Sequence, residues 1–117
     1  MPDLDRHLPL KPLELLILTI LADGDRHGYG IRQDMLAYTN GKVDVEAGNL
    51  YRHIRGLEDE GLGTDARAPR DESDERRIYY RLTAFGWRVL AAEMLRLREL
   101  VRLAESRGII TSAPARA

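Results

Sequence analysis

The sequence of 117 residues contains no cysteine. This excludes a disulfide scaffold, a zinc finger, a thiol nucleophile and an iron–sulfur site. With no sign of an oxidising compartment, a reducing cytoplasm is the expected location. Long apolar runs are also missing. The longest, Leu13 to Ala22, is broken by Glu14 and Thr19 and is too short to span a bilayer, so no membrane partner is expected. No cationic start, apolar run and small-residue cleavage site follow one another at the N-terminus, so no signal peptide is expected. An excess of one charge is lacking as well. The net charge is −1 and the pI about 6.3, which excludes a surface coated in positive charge but not a local basic face. The three histidines, His7, His27 and His53, stand singly without metal-ligand spacing. Gly24, Gly28 and Gly30 precede no phosphate-cradling GK[ST] element. No catalytic residue, metal or cofactor is therefore expected, and the chain is not read as an enzyme.

What is present fits one small domain with a modest core. Hydrophobic residues are 44% and charged residues 32% of the chain, a globular rather than a disordered profile. Residues 1–8 are expected to be flexible. Pro12 suits the first turn of a helix, and Leu13, Leu16, Ile17, Ile20 and Leu21 then form one apolar face that ends at Asp23-Gly24-Asp25. A second helix is expected from Tyr29 to Tyr38, with Ile31, Met35 and Tyr38 on one face and Asn40-Gly41 as the following turn. A third is expected from Ala47 to Glu60, with Ala47, Leu50, Ile54, Leu57 and Gly61 on one side. The period then changes. Leu62 to Arg67 and Arg77 to Leu82 read as a two-stranded hairpin, with Pro69 and a run of charges between them. A last helix starts after the N-cap Thr83, runs to Ser106 and is closed by Gly108 before a flexible tail. Helix, helix, helix, hairpin and long helix describe a mainly α (α+β) winged helix-turn-helix. The expected division is a DNA-binding domain over 9–83, a dimerisation helix over 84–106 and a flexible tail over 107–117.

The third helix carries the candidate chemistry. Opposite its apolar face lie Gly48, Arg52, Arg55 and Asp59, with Asn49 at the side. Its first half holds Arg52, His53 and Arg55; its second holds Glu58, Asp59 and Glu60. A DNA-reading helix inserts its N-terminal part, where arginine can pair with guanine and asparagine with adenine. The alternative for Arg52 and Arg55 is a solvated helix face. Arg76 and Arg77, at the base of the hairpin, are the candidate wing contacts; with them, the stretch from Arg70 to Arg77 mixes three arginines with four acids. On the last helix, Trp87, Leu90, Met94, Leu97, Val101 and Ala104 repeat at alternating spacings of three and four, a seam suited to a second copy of the chain.

Several ordered motifs match a family. They are His27-Gly28-Tyr29-Gly30-Ile31, Gly48-Asn49-Leu50-Tyr51, Leu57-Glu58-Asp59-Glu60-Gly61-Leu62, and Arg76-Arg77-Ile78-Tyr79-Tyr80-Arg81-Leu82-Thr83 with Gly86. Over roughly residues 10 to 105 the chain resembles the PadR-like transcriptional regulators, in their short branch with a single C-terminal helix. The resemblance implies a winged-helix homodimer that binds an inverted repeat in double-stranded DNA and usually represses transcription. It places the C-terminal helix against the first helix of the partner, and Tyr51 near the DNA backbone or bracing its helix. The chain departs from relatives where Arg52 follows Tyr51 in place of a common proline, and where Glu46 replaces the usual Ser, Thr or Asn cap. Some relatives bind flat aromatic drugs between tryptophans at the dimer axis. The matching position here is Leu97, and the only tryptophan, Trp87, lies near the start of the helix. Whether a small-molecule or protein effector acts is left open. The rival reading is a winged-helix module that binds proteins rather than specific DNA.

Overall fold

The computed structural model describes residues 3–66 and 78–111. Four helices, α1 (Pro12–Leu21), α2 (Gly28–Tyr38), α3 (Ala47–Asp59) and α4 (Ala84–Ser106), surround one core. Three short strands complete the fold: β1 (Arg26–His27), β2 (Gly63–Ala66) and β3 (Tyr79–Leu82). They form an antiparallel sheet in the order β1-β3-β2, so the expected two-stranded ribbon gains a third strand. Two residues are too few to show an alternating pattern in sequence. The third strand exists because Arg26 and His27 lie opposite Tyr80 and Tyr79. The salt bridge from Arg81 to Asp25, at 2.8 Å, holds the turn that leads into it.

The helices follow the apolar periodicity. Ile17, Leu18, Ile20 and Leu21 of α1, Ile31 and Met35 of α2, and Leu50, Ile54 and Leu57 of α3 are buried together. Their burial supplies the main folding drive, on the order of 2 kcal/mol for each large side chain. Pro12 occupies the first turn of α1. His27 caps α2, its ring accepting from the Gly30 N–H at 2.9 Å. The Glu46 side chain makes no capping hydrogen bond to α3, as its departure from the usual cap residues suggested. Gly108, at φ +73°, ends α4, and the Ile109 N–H reaches back to the Ala104 carbonyl.

In the N-terminal segment Asp5–His7 form a 3-10 turn, and Leu4 and Leu8 pack against the core. The His7 ring meets Phe85 edge-on at 5.3 Å, and its Nδ1 lies 3.2 Å from a Glu60 carboxylate oxygen. A few residues later the Leu10 N–H donates to the buried Glu93 of α4 at 2.7 Å. Arg96 and the Leu10 N–H hold the Glu93 carboxyl below its ordinary range, against the opposing push of burial.

The start of α4 is clasped to the turn between α3 and β2. The Thr83 hydroxyl donates to the Gly61 carbonyl at 2.6 Å and accepts from the Gly86 N–H at 2.8 Å. The Thr83 N–H donates to the Leu62 carbonyl at 3.1 Å. A Cβ on Gly86 would stand 2.0 Å from the Leu62 carbonyl oxygen, a backbone atom that cannot swing away. Gly86→Ala is therefore expected to destabilise the fold by about 3 kcal/mol or more, as overpacking against backbone does. Denaturant unfolding of the variant should show a lower midpoint, and an unchanged midpoint would show that α4 is not clasped in this way.

Candidate nucleic-acid interface

α3 turns two chemically distinct faces to its surroundings. Leu50, Ile54 and Leu57 lock one face into the core, while Gly48, Asn49, Tyr51, Arg52 and Arg55 are exposed on the other. Among the described residues neither Arg52 nor Arg55 has a salt-bridge partner, in contrast to Arg26, Arg32, Arg81, Arg96 and Arg102. Gly48 faces open space: a Cβ there would meet nothing within 4 Å. A glycine inside a helix costs about 0.5–1 kcal/mol relative to alanine. Among the described residues no packing accounts for that cost at Gly48.

Tyr51 projects from α3 towards the start of α2. Its ring lies over the first residue of α2, so that a Cβ on Gly28 would stand 2.8 Å from the Tyr51 hydroxyl and 3.0 Å from its ring. This contact braces α3 against α2 while leaving Tyr51 44% exposed. Between α3, the start of α2 and β3 lies an open cleft of about 360 Å³, lined by His27, Gly28, Tyr29, Tyr51, Arg55, Ile78 and Tyr80. His27 and Tyr29 stack, with centroids 6.2 Å apart. The sequence reading missed this cleft, because its residues come from three separated segments. The tyrosines within three ordered motifs were the only available signal.

The acidic end of α3 closes the site on its far side. Glu58 is half-buried against β2, and its carboxyl is pushed up to about 7 by burial, by a hydrogen bond with the Asp65 carboxyl, and by the charges of Asp65 and Asp59. Arg55 opposes the shift. Asp65 lies opposite Tyr80 in the sheet. The Tyr80 hydroxyl is in turn raised to about 12 by burial first, then by Tyr51, Glu58 and Asp65.

The remaining expected site residues are placed as follows. Arg76 and Arg77, with the whole wing tip, lie outside the described residues. On α4, Trp87, Met94 and Val101 are exposed, and Leu97 and Ala104 are half-buried. Leu90 differs from the expected seam. It is 5% exposed and belongs to the chain's own core, beside Val89 and Gly86. The first turns of α4 bury Gly86, Val89, Leu90 and Glu93 in the domain itself, and apart from Trp87 the exposed apolar residues of α4 lie beyond Glu93. Among the described residues no group of three or more His, Asp or Glu side chains is arranged to hold a metal. No helix is long and apolar enough to cross a membrane.

A three-helix core with a β-wing, presenting an arginine- and asparagine-bearing helix outward, defines the winged-helix class of DNA-binding proteins. Residues 17–92 match the model of the transcriptional regulator PadR-like family, and the chain belongs to that family. Its members are transcriptional regulators rather than enzymes. An uncharacterised protein X from Lysinibacillus sphaericus is 28% identical over 94 residues, covering 78% of this chain and 85% of that protein. The fold is similar to that of a PadR family transcription regulator from hypervirulent Clostridium difficile, with a TM-score of 0.68 at 23% identity over 82% of this chain and 97% of that one. It is also similar to a transcriptional regulator from Clostridium thermocellum, with a TM-score of 0.66 at 22% identity over 80% of this chain and 87% of that one.

The carboxyl pair makes a testable demand on stability. Folded Glu58 keeps its proton up to about pH 7, whereas the unfolded residue releases it near 4.5. Between those values the folded state binds more protons, so the Glu58 contribution is complete below 4.5 and is lost as pH rises through 7. Glu58→Gln carries no titrating proton there. Thermal unfolding across this range should show the wild type losing stability relative to Glu58→Gln as pH rises; parallel curves would remove the shared proton.

Proposed function

We propose that the chain acts as a homodimeric, sequence-specific DNA-binding regulator, a repressor on a pseudo-palindromic operator. Residues 9–83 form the DNA-binding unit and residues 84–106 the dimerisation helix. The observation that carries this reading is the exposed polar face of α3, where among the described residues Arg52 and Arg55 have no salt-bridge partner. Gly48 lets the backbone approach the groove, Asn49 and Arg52 face base edges, and Tyr51 braces the helix as it enters. Arg76 and Arg77 are assigned to phosphates at the wing.

The dimer reading draws on the outer half of α4. Met94, Leu95, Leu100, Val101 and Leu103 are exposed, on a helix whose last buried residue is Glu93. With Trp87, Leu97 and Ala104 they offer a second copy a continuous apolar strip, through a two-fold interface. Such a pairing would set two α3 helices roughly 34 Å apart, one turn of DNA.

Replacement of Arg52 by alanine is expected to weaken operator binding by about 1–3 kcal/mol while leaving binding to unrelated duplex nearly unchanged. A fluorescence anisotropy titration of both duplexes measures this, and equal losses on the two would deny Arg52 a base-reading role. Steep loss of affinity with rising salt separates this function from a protein-binding module, which would show no such dependence on duplex. Leu97→Asp would place a charge in the seam and is expected to yield a folded monomer. Sedimentation velocity with circular dichroism checks it: a folded variant that remains dimeric would take Leu97 out of the interface.

A further inference from the structure

The N-terminal segment makes directional contacts to both α3 and α4. His7 stands at one end of it. Its Nδ1 lies 3.2 Å from the carboxylate of Glu60, the cap residue at the end of α3, and its ring meets Phe85 in the first turn of α4 edge-on at 5.3 Å. Leu10 stands at the other end. Its N–H donates to Glu93 at 2.7 Å, and α1, which follows, packs with α3 in the common core. One short stretch of chain thus joins the exit of α3 to two points on α4, Phe85 and Glu93, about 12 Å apart along the helix axis. Two fixed points give a rod a direction, whereas one gives it only a position. The contact of Gly86 with the Leu62 carbonyl supplies a position. Val89 and Leu90 add apolar burial, which is non-directional. Glu93 differs from them. It is 1% exposed, and its carboxylate accepts from the Leu10 N–H and from the Arg96 guanidinium. A charge at that depth cannot leave its donors without being stranded in apolar surroundings. The hydrogen bond from Leu10 therefore holds α4 against tilting. Arg96 carries the constraint one turn outward, into the half of the helix whose apolar residues are exposed.

We propose that residues 4–10 form a brace that fixes the angle between α3 and the outer half of α4, with His7 and Glu93 as its positioning residues. The angle is a property of one chain; its consequence for DNA rests on the dimeric reading above. From Glu93 to Ser106 the helix runs about 20 Å. A tilt of about 10° at Glu93 would move its far end by roughly 3–4 Å, the rise of one base pair. Two copies paired through their outer turns would pass that displacement on to the spacing of their α3 helices. The brace thus makes the chain selective for the distance between half-sites rather than for the bases within them.

The sequence has no cysteine, so a pair of spin labels can be placed without removing native thiols. Labels at Ala47→Cys and Ser106→Cys, exposed at the start of α3 and the end of α4, read the angle within one copy when the full chain is diluted with unlabelled protein. Pulsed electron resonance should give one narrow distance distribution in the otherwise wild-type chain and a broadened or shifted one in His7→Ala and in Glu93→Gln. His7→Ala leaves the buried carboxylate in place, so it carries the test if Glu93→Gln does not fold. Anisotropy titrations then compare an operator duplex selected from a random pool with the same duplex carrying one base pair inserted between its half-sites. The wild type should bind the inserted duplex about tenfold more weakly, and both variants should reduce that ratio to about threefold or less while keeping wild-type affinity for a single half-site. A loss of folding stability alone would not move the ratio. Folded variants with wild-type label distances would overturn the brace. Altered distances with an unchanged ratio, or a wild type indifferent to the insertion, would overturn its effect on spacing. If the wild type selects no duplex at all, the DNA-binding reading fails, while the label distances still decide whether the brace exists.

Discussion

The close approach of Gly86 to the Leu62 carbonyl is the constraint on which the rest of the molecule depends. At that point α4 rests directly on backbone, and Thr83 ties both sides of the junction with its N–H and its hydroxyl. Leu62 immediately follows the turn that ends α3, so the reading helix and the long helix meet through two short, hydrogen-bonded segments rather than through a hinge. Their relative direction is therefore set by packing rather than by linker length. Under the proposed pairing on DNA, the separation of the two α3 helices would be set by the way the long helices pair, with little of it lost to bending between them.

The long helix divides its labour along its length. Its inner ten residues bury Gly86, Val89, Leu90 and Glu93 against the domain, and its outer turns bury nothing fully. Glu93 marks the boundary. It is 1% exposed, accepts from the Leu10 N–H, and is neutralised by Arg96 from the next turn. A buried carboxylate left unpaired would be strongly unfavourable, so the N-terminal segment and Arg96 are both held in place by it. The apolar repeat in the sequence runs without interruption across this boundary. That is why Leu90 reads as a seam residue although it packs into its own domain: a stripe of constant spacing carries no mark of which partner each turn will meet.

The same distinction separates what was legible in the sequence from what was not. Features governed by neighbours three or four residues away were open to reading. These include the bounds of α3, the Thr83 cap, the Pro12 start and the Gly108 stop. So were the motifs around Gly28, Gly48 and Gly86 that carry the family resemblance. Features that require distant segments to meet were closed. β1 is two residues whose strand character comes entirely from β3. The ordered N-terminal segment depends on Phe85, Glu60 and Glu93. The cleft unites α2, α3 and β3, and the Glu58–Asp65 pair joins α3 to β2. In each case the sequence shows the residues but not their meeting.

The near-neutral net charge of −1 then loses its force as an argument against nucleic acid. Charge balance over the whole chain counts arginines that are already tied to acids of the same molecule. Arg26 bridges Asp23 and Asp34, Arg32 bridges Asp44, and Arg81 bridges Asp25. Each such pair neutralises an acid and engages an arginine that would otherwise carry an unmatched charge. Among the described residues Arg52 and Arg55 have no such partners on the exposed face of α3. The field met by an approaching duplex is set by those unpaired groups within about 8–10 Å, the screening length near physiological salt, and only weakly by the total. A small regulator can therefore carry as many acids as bases and still present a locally cationic helix, provided its acids are matched first. At the acidic end of α3 the balance is different: burial and the neighbouring Asp65 and Asp59 raise the Glu58 carboxyl to about 7 against the opposing pull of Arg55.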